Sequence, residues 1–337
     1  MTFAPRVRAS KGRHVGLGRM QPVPRVSIII PCYNGEAYIG RTIDSVRAQA
    51  FTDWEHVVVD DGSTDNSAAV IETYVACDPR LRLIRQPNGG VAKARNNSFA
   101  ACSAESDYLL FLDADDCLEP EMLAVMVSYL DAHPDVGLAY CRCLFIDSDD
   151  SVTGKKEVIR YAPDSSGVFS VREIPPDCPE TPFVSVFVYA VIVPSVAVLR
   201  RSVYELTPGW DETLGQPAED TDLFLHMALR SRVHYVPQEL VRKRQHGMQS
   251  TRDRKKIRAQ GKKLYRKWNS MSGLSEDHKA LVEEARRFRE GRILPSLNLK
   301  WGGDHLRAGN LVEGLKCYMR FVKQLLSHTV RVRLVGG

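Results

Sequence analysis

Three apolar runs, each stopping abruptly at a polar cluster, constrain this chain more than any other feature. They read VSIIIPCYNGE from Val26, EHVVVDDGSTDNS from Glu55 and YLLFLDADD from Tyr108. Runs rich in Val, Ile and Leu that do not alternate with polar residues suit strands buried on both faces. Strands of that kind, separated by helical patterns, build a mostly parallel sheet whose carboxyl ends share one ligand-binding edge. The chain is therefore expected to be an α/β protein with polar side chains gathered at that edge.

The pattern between the runs agrees. A helix is expected near 36–49 with Ile39, Ile43 and Val46 inward, and another near 66–77 with Ile71, Tyr74 and Val75 inward. LRLIR at 81–85 reads as a strand, and a turn at Pro87-Asn88-Gly89-Gly90 leads to a helix carrying Lys93, Arg95 and Asn96. Helix 120–132 opens on Pro120, favoured in a first turn. Its Leu123, Met126, Val127 and Leu130 keep the spacing of a buried face. Strands follow at 136–146, 196–200 and 233–236, with a helix at 218–230 and a final body segment at 240–250. Residues 147–182, rich in Asp, Ser and Pro, read as a mobile insertion. FVSVFVYAVIVPSVAVL at 183–199 is β-branched, broken by Pro194, and shorter than the ~20 residues of a membrane-spanning helix; it reads as two buried strands or the wall of a substrate pocket.

Charge divides the chain. Its 337 residues carry a net charge of +5. Residues 1–25 hold six Lys/Arg and no acid, residues 26–250 hold 19 Lys/Arg against 33 Asp/Glu, and residues 251–337 hold 21 against 8. Three parts are expected: a disordered basic arm over 1–25 (Met20 being a possible start), an α/β body over 26–250, and a helical basic segment over 251–337. An acidic body suits a metal-dependent site, and a basic tail suits a surface-binding role. The tail mixes Lys/Arg with Leu, Phe, Tyr and Trp. That pattern fits a helix on an anionic bilayer as well as one packed on the body or in a homodimer. No base-reading motif accompanies it, so nucleic acid is not an expected partner. Cysteines without CxxC spacing, and Cys141 and Cys143 on one strand face, point to buried reduced thiols and a cytoplasmic setting, with peripheral contact at the inner face of the membrane as an extension.

Four clusters can carry chemistry. Asp60 and Asp61 can accept from a base or ribose, or form a turn that caps the next helix. In Asp113-Ala114-Asp115-Asp116 a D-x-D presents two carboxylates to one side, as a hard divalent cation requires, or the run is an acidic loop capping the helix at Glu119. Glu219-Asp220 opens a helix, where a carboxylate is either a cap stabilised by the macrodipole or a general base. Arg244, His246 and Ser250 offer a metal ligand and phosphate contacts, or an ordinary solvated face.

Taken in order, these pieces resemble an inverting glycosyltransferase of family 2. VSIIIPCYNGEAYIGRTIDSVRAQ, VVVDDGSTDNS, NGGVAKARN, YLLFLDADD, GWDETL, AEDTDLFLHMAL and RQHGMQS carry the likeness across 26–251. The resemblance implies the GT-A fold, a Rossmann-like nucleotide-sugar fold. Its mixed, mostly parallel sheet would be flanked by helices, with a nucleotide-binding half over 26–146 and an acceptor half over 147–250. It implies Pro31, Tyr33 and Glu36 along the base pocket and Asp60 on the nucleobase. Arg95 and Asn96 would lie near the nucleotide, Asp113 by the ribose, and Asp115 and His246 on Mn²⁺ or Mg²⁺. Asp220 would be the base. The implied reaction moves one sugar from a nucleotide donor, UDP-sugars first, to a hydroxyl on a glycan, lipid-linked glycan or protein. The QxxRW motif of processive synthases is absent. The competing reading is a catalytically idle nucleotide-binding module that recruits a partner or membrane through its tail.

Overall fold

The computed structural model describes residues 23–154, 179–189, 192–247, 254–307 and 309–335. The 1–25 arm falls almost wholly outside the described residues, as do most of the 147–182 insertion and Ser250.

The body begins as alternating strands and helices. β1 (Val26–Cys32), α1 (Ile39–Arg47), β2 (Trp54–Asp60), α2 (Ser67–Val75), β3 (Leu81–Arg85), α3 (Val91–Ala101) and β4 (Tyr108–Phe111) follow one another. β1 and β2 are buried almost throughout because helices cover both faces of a parallel sheet. α1 turns Ile39, Ile43 and Val46 into the core. α4 (Met122–Ala132) turns in Leu123, Met126, Val127 and Leu130, as their spacing predicts.

Among the described residues the sheet has eight strands in the order β3-β2-β1-β4-β7-β6-β8-β5, where β5 is Cys117–Leu118, β6 Val136–Ile146, β7 Ala197–Arg200 and β8 Arg232–Arg244. β1 pairs in parallel with β2 on one side and β4 on the other, with Cys32 opposite Asp60 and Ile29 opposite Phe111. The chain therefore winds one way from β1 to β3 and returns to β4 on the other side. A crevice opens where the winding reverses, at the strand carboxyl ends. β7 (Ala197–Arg200) then runs antiparallel between β4 and β6 (Val136–Ile146). β8 (Arg232–Arg244) runs parallel to β6, and the two-residue β5 (Cys117–Leu118) closes antiparallel on β8.

Two expectations need correction. Among its described residues the 183–199 run is not a pair of strands. It forms α5 (Phe183–Tyr189), a 3₁₀ turn over Pro194–Val196 and the single strand β7. Residues with strand propensity take helical form here because Phe183, Val186 and Phe187 are buried between neighbouring helices, where packing overrides propensity. The strand expected at 233–236 and the segment after it are one strand, β8. The extra residues around Pro237 are absorbed by a register shift between Cys141 and Arg142 of β6.

After the short α6 (Arg201–Tyr204) come α7 (Glu219–Ala228) and the C-terminal helices. These are α8 (Arg254–Asn269), α9 (Glu276–Phe288), a π turn over Arg289–Ile293, α10 (Leu294–Arg307) and α11 (Leu311–Val335). α8 is fastened to the body. Leu264 and Trp268 are buried, Lys267 Nζ bridges Asp211 at 2.7 Å and Asp222 at 2.6 Å, and Trp268 Nε1 donates to Asp222 at 2.9 Å. The first helix of the basic segment is thus part of the fold. Among the described residues no helix is long and apolar enough to cross a membrane.

Candidate active site

A cleft of about 590 Å³ opens at the reversal point and is lined by Pro31, Tyr33, Asp61, Asp113, Asp115 and His246 among others. The loops after β1 and β2 form its first wall. Asn34, at φ 51°, accepts from the Thr64 N–H at 2.8 Å, and the Gly35 N–H donates to the Ser67 hydroxyl at 2.8 Å. Gly62 has φ +74°, and a Cβ there would sit 2.7 Å from the Asn88 nitrogen, so the turn admits glycine alone. Tyr33 is 53% exposed on this wall and offers a surface on which a planar base can stack.

Asp60 and Asp61 part company. Adjacent residues at a strand end face opposite ways. Asp60 accepts from the Ser63 N–H at 3.1 Å and shapes the turn. Asp61 reaches the cleft and accepts from the Gly89 and Gly90 N–H groups at 2.8 and 2.9 Å. Asp61, not Asp60, is therefore the acid on the cleft wall. Glu36 is also off that wall: its carboxylate accepts from the Asn66 N–H and side-chain amide at 3.1 and 2.8 Å, joining the two loops.

The acidic run after β4 forms the second wall. Carboxylate oxygens of Asp113, Asp115 and Asp116 all lie within 4.8 Å of one another. Their roles differ by burial. Asp116 is 1% exposed and accepts from the Ser195 hydroxyl at 2.7 Å and the Arg244 N–H at 3.0 Å; burial pushes it up to about 7. Asp113 and Asp115 stay about a quarter exposed toward the cleft, at 28% and 27%. Pairing of Cys117 with Arg242 brings the end of β8 alongside, so His246 Nε2 lies 2.8 Å from Asp115 Oδ2. The Tyr38 ring sits 4.9 Å from the imidazole. Two accessible carboxylates and an imidazole nitrogen suit Mn²⁺ or Mg²⁺, which favour oxygen ligands and leave positions for phosphate. The donor set thus fits a divalent cation, with Asp116 committed to the scaffold.

Lys243, which the motifs did not single out, also lines the cleft, with Nζ 3.5 Å from Asp116 Oδ2. No spacing rule would have found it, because its partner lies 127 residues earlier.

Arg95 and Asn96 lie beneath the cleft rather than on its wall. The Arg95 guanidinium is 2% exposed, pairs with Asp113 at 2.8 Å and Glu219 at 3.3 Å, and covers the Trp210 ring at 4.2 Å. Asn96 accepts from the Trp210 N–H at 3.1 Å and donates to the Trp210 carbonyl at 2.9 Å. Together they tie the GWDETL loop and the start of α7 to the end of β4. Asp220 follows Glu219 in the first turn of α7, where it accepts from its neighbour's Thr221 N–H at 2.5 Å. Burial first, and the adjacent Glu219 second, push its carboxyl up to about 7.

Comparison with known proteins agrees with this architecture. Staphylococcus aureus TarS, solved as residues 1–349 with UDP-GlcNAc, superposes with a TM-score of 0.59 at 18% identity, covering 92% of each chain. A mannosyltransferase from Pyrobaculum calidifontis, solved with GDP-Man and Mn²⁺, also gives 0.59 at 18% identity, over 91% of this chain and 86% of that one. At such identities the likeness establishes the GT-A fold. Pasteurella multocida hyaluronan synthase is 46% identical over 99 residues, which cover 29% of this chain and 10% of that enzyme. The chain spans less than half the length of the curated relatives it matches. The model of glycosyl transferase family 2 matches residues 27–207, more than half of the chain, including the polar clusters after β1, β2 and β4. With fold and family pattern coinciding on one cleft, the chain belongs to glycosyltransferase family 2.

Proposed function

We propose that the protein transfers a single sugar, with inversion, from a nucleotide-sugar donor to a hydroxyl of a glycan, lipid-linked glycan or protein. The observation that carries this reading is the convergence of Tyr33, Asp61, Asp113, Asp115 and His246 on one cleft whose floor is tied through Arg95 to the helix bearing Asp220. Pro31, Tyr33 and Asp61 would take the base, and Asp113 the ribose. Asp115 and His246, with Asp113 beside them, would hold Mn²⁺ or Mg²⁺. When bound, that ion supplies positive charge for the departing diphosphate. Lys243 adds a fixed cation on the same wall.

Asp220 would take the proton from the acceptor hydroxyl as that oxygen attacks the anomeric carbon from the face opposite the leaving group, in one displacement. A carboxyl raised to about 7 is matched to that task near neutral pH. UDP-sugars are the first donors to test. Single-sugar transfer is part of the proposal, motivated by a sequence without the QxxRW motif of processive synthases.

The test is a thermal-shift screen of UDP-, GDP- and dTDP-sugars with and without Mn²⁺, followed by donor turnover. A binding donor raises the melting temperature with concentration, at 100 times its Kd by about 2.7 kcal/mol of added stability. EDTA should reverse much of the shift. If no nucleotide sugar shifts the protein in any metal, the reading is wrong.

A further inference from the structure

The C-terminal hairpin of α10 and α11 carries a surface that the sugar-transfer reading does not use. Leu311, Val312, Leu315, Met319 and Val322 of α11 are 50–65% exposed. At 3.6 residues per turn they fall within about 100° of the helix circumference. Away from the stripe α11 is packed: Gly314 and Cys317 are buried, and at the edge between the two sides the Tyr318 ring lies 3.0 Å from where a Cβ on Gly302 of α10 would stand. The exposed side is not flat. Leu315, Tyr318, Met319, Val322 and Lys323 line a shallow groove of about 430 Å³.

Charge identifies the occupant. Lys316, Arg320 and Lys323 are exposed and occupy the next 60° or so beside the apolar stripe. Lys316 shares a surface pair with Glu313 at 2.7 Å. Arg320 and Lys323 leave a basic rail, within a segment of 21 Lys/Arg against 8 Asp/Glu. A second copy packed stripe to stripe with its α11 antiparallel would bring two such rails to the same side of the seam, like charge to like. Residues 1–22 carry five Lys/Arg and no acid, so they too are repelled. An apolar stripe edged by cations matches a bilayer surface with anionic headgroups, where the stripe enters the acyl boundary and the rail meets phosphate.

We infer that the exposed face of α11 docks the protein onto anionic membrane surfaces. The helix lies in the interface and does not cross it. Each basic residue near such a surface contributes about a fivefold gain in partitioning.

The test uses the full chain and vesicles of phosphatidylcholine alone or mixed with phosphatidylglycerol, read by co-sedimentation. The wild type should pellet with the mixed vesicles and not with phosphatidylcholine, and added salt should weaken it. Leu315→Glu with Met319→Glu should abolish pelleting. Arg320→Glu with Lys323→Glu should lower it at least tenfold. These positions are exposed, so far-UV circular dichroism and melting temperature should match the wild type. Equal pelleting on both vesicle types, or equal pelleting of the variants, overturns the inference. So does a wild type that ignores vesicles, whether it is a dimer that Leu315→Glu with Met319→Glu makes monomeric or a monomer throughout. Donor binding is read separately by thermal shift, so this surface and the sugar-transfer site stand or fall independently.

Discussion

Ionising Asp220 places a negative charge beside the buried Glu219 in a partly buried site, and this has opposite consequences for activity and stability. Its folded pKa of about 7 lies above the ordinary carboxylate value of 3.8, so the native state holds this proton more tightly than the unfolded chain does. The stabilising contribution is complete below the ordinary value and is lost as pH rises through about 7. Activity should follow the deprotonated form, climbing with pH along a single limb centred near 7 and levelling above it. Asp220→Asn should lower kcat by about 10²–10⁴-fold. It should also remove the pH-dependent destabilisation, so its melting temperature at pH 8 should equal or exceed that of the wild type. Donor turnover across a pH series and parallel melts measure both. Undiminished turnover in Asp220→Asn would remove it from the chemistry.

At the scale of elements, the site depends on how α3 fastens β4 to α7. Arg95 sends one guanidinium to Asp113 and Glu219, residues 18 and 124 positions away. Truncating one member of a buried ion-pair network leaves its partners unpaired, so Arg95→Met should cost about 3–5 kcal/mol of stability in urea unfolding. Arg95→Lys should recover less than half of it, because an ammonium cannot span both carboxylates while covering the Trp210 ring. A Met variant as stable as the wild type would show that the network is dispensable. The sequence marked Arg95 as a site residue near the nucleotide, and the structure adds its partners, Asp113 and Glu219. Its motif fixes a basic residue on a helix that follows a glycine turn. Which carboxylates it meets depends on chain returning from more than a hundred residues away. The same holds for 183–199, where apolar content was legible but not conformation, because a short buried run satisfies strand and helix equally until its neighbours are known.

At the scale of the molecule, the basic tail divides into two functions. α8 belongs to the core, and α11 presents the exposed stripe. Trp268 is buried against α5 and α7, its ring tilted 45° to that of His226 with centroids 4.9 Å apart, and it donates to Asp222. Trp268→Ala should cost about 3–5 kcal/mol and loosen α8 from the GWDETL loop that α8 holds through Lys267 and Asp211. Denaturant midpoints and hydrogen exchange in α7 and α8 report it, and unchanged exchange in α7 would separate α8 from the body.

By itself the sequence determined the α/β alternation, the three strands with polar carboxyl ends, the buried faces of α1 and α4, and the D-x-D cluster. Each of these follows from local periodicity and from turn chemistry within a few residues. Only the tertiary structure decided that Asp61 rather than Asp60 faces the cleft, that Glu36, Arg95 and Asn96 brace it from outside, that Asp116 is committed to the scaffold, and that Lys243 joins the wall. Those choices are made by strand pleat and by pairings between distant segments, where a side chain's role depends on which face it turns and on what the fold brings opposite it.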